Sequence, residues 1–324
     1  RKHYLPQVRC WKIISIILAL TGVLFTLIGI FCTEGALAVH WGSDGTPNGF
    51  AGKIVLVLIA LMGVLSMFSG ESFRKERPGW HIPVGPEMGY AASEFRLPEV
   101  AVLEIPAIRA CMGETGMEVA TLGTGTIYGR YGLHLCDADE QRQQELFERV
   151  CAFIDCAAQL NARVTIGSIK GNIRPDEDRE KHLDILGKAL KRIDDYAGQK
   201  NVTVLLEATN RYENNVLNTG AQLADMIQGY ALKHTRALMD AFHMNIEEAQ
   251  GARGLLDARD VLGHIHFADN NRLYPGGGCF DFQALAQSIR EIGYDGMLSV
   301  ECLPFPDGDE AARRACAFLH TFLK

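Results

Sequence analysis

The sequence predicts an α/β chain: a (β/α)8 TIM barrel, incomplete at its N-terminal units, preceded by an α-helical transmembrane hairpin. Three observations lead there. From residue 118 onward, short β-rich runs alternate with stretches of helical periodicity, the pattern of a parallel sheet. Four successive apolar runs end in a carboxylate or an imidazole and then turn polar, as barrel strands do where they present chemistry at their C-terminal face. Upstream, two long uncharged runs stand close together.

Composition sets the outer bounds. The 324 residues, 48% hydrophobic and 22% charged, suffice for one large α/β domain and a further segment. A formal charge of −7 lacks the basic stripe of a nucleic-acid surface, so no nucleic-acid partner is expected. The nine Cys form no CxxC pair and no regular framework, which reads as thiols in a reducing compartment rather than disulfides.

Residues 1–77 read as the membrane hairpin. Ile13 to Thr33 is 21 residues without a charge, enough to cross a hydrocarbon core of roughly 30 Å. Ile54 to Gly70 is 17 uncharged residues, the short end of the spanning range, and reads as the return leg. Arg1, Lys2, Arg9 and Lys12 precede the first run, and Arg74, Lys75 and Arg77 follow the second. The positive-inside rule then places both ends, and the barrel, on the cytoplasmic side. Without a true hairpin the barrel is expected in the cytoplasm. The connection Ala38–Lys53 carries His40 and Asp44 but is punctuated by Gly42, Gly45, Pro47, Asn48 and Gly49, which favours a turn. It resembles the corresponding segment of small bacterial membrane proteins of the DUF1648/SdpI type, a likeness that implies a membrane hairpin and no particular chemistry.

Residues 78–104 read as a linker or as degenerate first barrel units, rich in Pro and Gly, and the barrel proper as 105–324. Ile105–Thr115 is a helix. The strand at 118–123 opens into GTGTIYGRYG, which has neither the Walker lysine nor the dinucleotide spacing and reads as a turn. Asp139 to Leu160 puts Leu146, Val150, Phe153, Ile154 and Ala157 on one helical face. A strand at 163–168 and a helix from about Asp178 to Tyr196 follow. Strands ending near Glu207, Asp240, His266 and Glu301 then alternate with helices near 220–229, 247–258, 281–292 and 309–323. That makes six strand–helix units from residue 118. The only runs available for two more are HIPV (81–84) and VAVLEI (100–105).

Glu207, Asp240, His266 and Glu301 are the candidate metal ligands. Adjacent strand ends of a barrel converge, and three carboxylates with one imidazole and no thiolate suit Mn²⁺, with Co²⁺ or Mg²⁺ possible. Taken singly, a strand-end Asp or Glu reads as a helix cap or a surface carboxylate; four such groups at four successive strand ends are harder to set aside. Alternation puts His264 on the same strand face as His266, so one of the two supports rather than ligates.

With these residues in view, the chain over about residues 105–324 resembles the xylose-isomerase-like barrels, and among them the ketose 3-epimerases that act on D-tagatose and D-psicose. The matching stretches are LLEATNRYENNVLNT, LMDAFHMNIEE, GHIHFADNNRLYPGGG and IGYDGMLSVE. The resemblance implies that Glu207, Asp240, His266 and Glu301 hold the metal and that Glu207 and Glu301 are also the catalytic acid/base pair. It implies further that Glu213, His243 and Arg272 contact the substrate's oxygens. For Arg272 the plainer reading is a solvated loop charge, and for Glu213 a pair with Arg211 or a helix cap. The expected activity is inversion of the carbon next to a ketone through an enediolate, with one Glu removing the proton and the other returning it. The expected partners are a small-molecule sugar, the membrane, and a second copy of the chain.

Three other readings compete. An aldose–ketose or hydroxypyruvate-type isomerase shares the scaffold and the enediol. An endonuclease-IV-like nuclease needs more ligands and a basic groove. An inactive membrane-tethered fusion would explain the missing barrel units.

Overall fold

The computed structural model describes residues 37–41, 47–51, 88–97 and 99–322. The chain divides into two compact units, Arg1–Gly79 and Trp80–Lys324. In the first, β1 (Leu37–Trp41) and β2 (Pro47–Ala51) form an antiparallel pair with Leu37 opposite Ala51. The two apolar runs read as membrane spans, and HIPV, lie outside the described residues. Among the described residues no helix is long and apolar enough to cross a membrane.

Among the described residues, the second unit holds a parallel sheet of seven strands in the order β3-β4-β5-β6-β7-β8-β9. These are β3 (Ala92–Arg96), β4 (Glu118–Gly123), β5 (Arg163–Ile166), β6 (Val204–Glu207), β7 (Thr235–Asp240), β8 (Leu262–Phe267) and β9 (Leu298–Val300). Helices α1 (Ile105–Thr115), α3 (Glu140–Leu160), α4 (Arg179–Gln199), α5 (Gly220–Gly229), α8 (Phe282–Glu291) and α9 (Gly308–Phe322) alternate with them. Short helices α2 (Thr126–Tyr131), α6 (Ala241–Glu247) and α7 (Arg253–Asp257) fill the loops. The sheet curls: Glu94 of β3 meets His264 of β8, and Arg96 of β3 pairs with Glu301 beyond β9, so side chains from the two ends of the sheet come together.

Local chemistry accounts for the boundaries. Asp139 and Asp178 cap α3 and α4, each accepting two backbone N–H groups of the first turn. Thr219 and Gln222 close a capping box on α5. The face expected from periodicity in α3 is buried, with Leu146, Val150, Ile154 and Ala157 at 0% exposure. Each large apolar side chain so buried contributes about 1.5–3 kcal/mol. Gly220, at the first turn of α5, lets that helix approach α7 closely, because a Cβ there would strike the carbonyl oxygen of Gly254.

Two expectations are corrected. VAVLEI is not a strand: Val100–Val102 is a 3₁₀ turn and α1 starts at Ile105 with Pro106 in its first turn. Proline has no N–H for a ladder but fits a first helical turn, which decides the matter. The extra strand is instead β3, inside the stretch read as a linker or degenerate first barrel units, and among the described residues it raises six strand–helix units to seven. Likewise the helix expected over 247–258 shortens to α7 (Arg253–Asp257), and a separate helix, α6, ends at Glu247, having started at Ala241 where Asp240 caps it through the N–H of Phe242.

Candidate metal centre

All seven strands run parallel, so their C-terminal ends lie on one face. Glu207 ends β6 and Asp240 ends β7, while His266 is next to last in β8. Glu301 follows β9, and its N–H continues the ladder to the carbonyl of Phe267. Register sets Asp240 beside His266 and His266 beside Ser299. The four expected ligands therefore converge, each offering an atom that lies within 4.8 Å of the others. His266 Nδ1 is 3.2 Å from Glu301 Oε2, 3.8 Å from Asp240 Oδ2 and 3.9 Å from Glu207 Oε1.

The electrostatics are those of crowded anions with too little water. Burial and the neighbouring Glu301 charge push the Glu207 carboxyl up to about 7. Burial raises Asp240 to about 6 against the pull of Arg272. Glu301 moves the other way: burial would raise it, but His266, Arg272 and Arg96 together hold it well below the usual range. Glu207 Oε1 is buried with no hydrogen-bond partner, a costly state for a carboxylate oxygen. Three carboxylates and an imidazole around one point, one oxygen of them lacking a donor, fit a divalent cation of the hard or borderline class.

The residues expected at the substrate are placed differently from one another. His243 is buried, its Nε2 3.7 Å from Glu207 Oε1. Its Nδ1 accepts from the N–H of Asn210 at 3.3 Å and faces that residue's Nδ2 at 2.8 Å, so in the neutral ring Nε2 carries the proton. Burial and the Arg272 charge lower it to about 3, which keeps it neutral. Glu213 is half exposed at the rim and accepts from Asn210 Nδ2 at 3.1 Å. It does not pair with Arg211, which instead makes a two-pronged contact with Glu247 at 2.9 and 3.0 Å. Arg272 is no solvated loop charge. Its Nη1 donates to Asp240 Oδ2 at 2.6 Å and its Nη2 to Glu301 Oε2, with the guanidinium over the Phe242 ring. Asp269 holds the loop that delivers it, accepting from the N–H groups of Asn270, Gly276 and Phe280. Arg272 itself adopts a left-handed φ of 62°.

Sequence reasoning missed three groups here. Glu94 contacts both buried histidines of β8. Arg96 pairs with Glu301 Oε1. Lys170 is fully buried, donating to the Glu207 carbonyl oxygen and to Thr209 Oγ1, and burial lowers its pKa to about 8. A lysine flanked by glycine in a polar loop carries no sign that it will turn inward.

Gly167, just beyond β5, leaves room for the Glu207 side chain, because a Cβ there would strike Oε2. Gly167→Ala is expected to cost ~10²-fold in turnover through a displaced carboxylate. Steady-state kinetics on a variant with unchanged circular dichroism checks this.

Residues 86–322 match the family model of the xylose isomerase-like TIM barrel. The chain belongs to that family. It is similar to the 3-dehydro-D-guloside 4-epimerase of Escherichia coli K12, 30% identical over 244 residues that make up 72% of this chain and 91% of that protein. It is similar also to a ketose 3-epimerase of Arthrobacter globiformis, 27% identical over 66% of this chain and 74% of that protein. Among solved structures, 3-keto-D-glucoside 4-epimerase from E. coli superposes with a TM-score of 0.64 at 27% identity, covering 76% of this chain and 97% of that one. The D-psicose 3-epimerase of Clostridium cellulolyticum H10, solved with D-tagatose, shares the fold at a TM-score of 0.67 and 20% identity, over 74% of this chain and 91% of that one. These relatives of the xylose isomerase-like barrel are sugar epimerases, and the chain stands among isomerase-class enzymes that act on carbohydrates.

Proposed function

We propose that this chain is a metal-dependent epimerase that inverts the carbon next to the ketone of a keto sugar. The observation that carries the reading is the meeting of Glu207, Asp240, His266 and Glu301 at one buried point, with two of the three carboxylates available for proton transfer. These four residues would hold the ion, Mn²⁺ by preference and Co²⁺ or Mg²⁺ as alternatives. When bound, the ion supplies Lewis-acid stabilisation of negative charge developing on the sugar's oxygens.

The chain's own groups do the rest. The ionised member of the Glu207/Glu301 pair takes the C–H proton, and the electron pair left behind delocalises onto the carbonyl oxygen as an enediolate. The protonated member returns a proton to the opposite face of the same carbon, and exchange with solvent resets the pair. Neutral His243 donates from Nε2–H to a sugar oxygen, a role its bond from Asn210 prepares. Arg272 adds positive charge beside the developing anion. Glu213, at the rim, accepts from a sugar hydroxyl.

The relatives' names include inversion at C3 of a ketose and at C4 of a 3-keto glycoside, and in both the inverted carbon adjoins the ketone. The greater coverage of the 4-epimerase favours a 3-keto glycoside as the first alternative substrate. An aldose–ketose isomerase would place the returning proton on the neighbouring carbon. The two long apolar runs upstream support a membrane tether on sequence grounds alone.

The test is a panel of free ketoses and 3-keto glycosides with Mn²⁺ in D₂O, followed by NMR. Deuterium at the carbon beside the ketone together with its inverted epimer is expected. EDTA should abolish turnover and Mn²⁺ restore it. Aldose products, or turnover indifferent to EDTA, overturn the reading.

A further inference from the structure

β3 and β9 are the two ends of the sheet and share no ladder among the described residues. Across that seam one side chain makes a paired contact. Glu94 Oε1 is hydrogen-bonded to His264 Nε2 at 3.0 Å, and Glu94 Oε2 lies 3.2 Å from His266 Nε2, an ion-pair approach outside hydrogen-bond alignment. His264 Nε2 also meets Ser299 Oγ at 2.9 Å. The two imidazoles stand edge to face, at 87° and 5.2 Å between centroids. Both are buried, at 0% and 2% exposure, so neither ring exchanges these contacts for bulk water.

The two nitrogens of His266 thus face different surroundings. Nδ1 faces Glu207, Asp240 and Glu301. Nε2 faces Glu94. A neutral imidazole donates from one nitrogen and offers a lone pair from the other. An ionised carboxylate can only accept, so opposite Nε2 it favours the proton there and leaves the Nδ1 lone pair for a cation. A carboxylate behind a ligand histidine also fixes the ring's orientation and raises its basicity.

We propose that Glu94 is a positioning residue: its carboxylate holds His266 in the Nε2–H tautomer, with the Nδ1 lone pair turned to the ion that Glu207, Asp240 and Glu301 would share. This rests on the metal-dependent reading above. Because one carboxylate serves both histidines, it also ties β3 to β8 without a backbone ladder. The Ser299 hydroxyl bonds to His264, while Ser299 meets His266 only as its backbone neighbour in the ladder, so the hydroxyl can be removed without breaking the contact between Glu94 and His266. A glutamine at position 94 keeps the size of the side chain but has a single acceptor oxygen for the two imidazoles.

The experiment titrates Mn²⁺ calorimetrically into wild type, Glu94→Gln, Glu94→Ala and Ser299→Ala. Long-range ¹H–¹⁵N spectra of each, ¹⁵N-labelled at histidine and loaded with diamagnetic Mg²⁺, give the second readout. The expected result is one Mn²⁺ per wild-type chain, weaker binding by ~10–100-fold in both Glu94 variants, and affinity retained in Ser299→Ala. A downfield Nε2 proton of His266 should be present in wild type and Ser299→Ala and lost in Glu94→Ala. Wild-type affinity in Glu94→Gln, equal loss in Ser299→Ala, or survival of that proton in Glu94→Ala overturns the inference while leaving the metal reading standing. Two Mn²⁺ per chain would make Glu94 a ligand of a second ion together with His264 and His266, and also overturns it. No binding by wild type overturns the metal reading, and this inference with it.

Discussion

Glu301→Gln and Glu207→Gln are each expected to lower turnover by ~10³-fold or more, within or beyond the range for removing a general acid or base. Glutamine keeps the shape of either side chain but can neither take up the C–H proton nor carry the anionic charge that a divalent ion needs. The two variants should part company in their secondary effects. Glu301 faces His266, Arg272 and Arg96, so its loss strips three cationic or protonatable groups of a partner. Glu207 faces the neutral ring of His243, and its Oε1 has no hydrogen-bond partner. Glu207→Gln should therefore leave the rest of the site in place and weaken Mn²⁺ binding, whereas Glu301→Gln should also loosen the Arg96 guanidinium and leave Arg272 held by Asp240. Steady-state kinetics at saturating Mn²⁺, with deuterium uptake from D₂O as a second readout, checks both. Turnover above about a tenth of wild type in either variant removes that residue from the acid/base pair.

Much of the site could be read beforehand because its chemistry sits at a regular structural position. A buried strand is written in apolar residues, and a carboxylate or imidazole at its C-terminal end interrupts that pattern visibly, as at Glu207, Asp240, His266 and Glu301. Helix α3 was legible for the same reason: its apolar stripe and the Asp139 cap are local signals. What escaped notice is set by tertiary placement. β3, at the end of the sheet, carries Glu94 and Arg96, and neither residue's partner lies on a neighbouring strand. A strand whose polar side chains serve the site shows no apolar alternation, so ASEFR falls within a stretch that reads as a linker or as degenerate barrel units. VAVLEI misled in the opposite sense, since its β-branched residues suggest a strand while Pro106 favours the helix start. For Arg272 the resemblance implies a contact with substrate oxygens, and no sequence pattern tells that its guanidinium lies on Asp240 and Glu301.

Asp194→Ala is expected to destabilise the protein by about 3–5 kcal/mol, through three donors left without an acceptor. Asp194 lies in α4 at 1% exposure, far along the chain from any strand end. Its Oδ1 accepts from the N–H of His234 and from Thr235 Oγ1, each at 2.8 Å, and its Oδ2 accepts from the N–H of Lys233 at 3.0 Å. These bonds fasten α4 to the start of β7, the strand whose other end is Asp240. Alanine leaves the buried Thr235 hydroxyl and the two part-buried N–H groups without this acceptor. Asparagine restores an acceptor on one side only, so Asp194→Asn should lose roughly half as much. Equilibrium unfolding in urea measures both, and a shifted midpoint at unchanged slope marks a loss of native-state stability. The destabilised variant should still bind Mn²⁺ in the cold with wild-type affinity, because the carboxylate orders the entry to β7 and does not touch the site. If Mn²⁺ affinity fell while stability held, Asp194 would instead be setting the position of Asp240 through the strand.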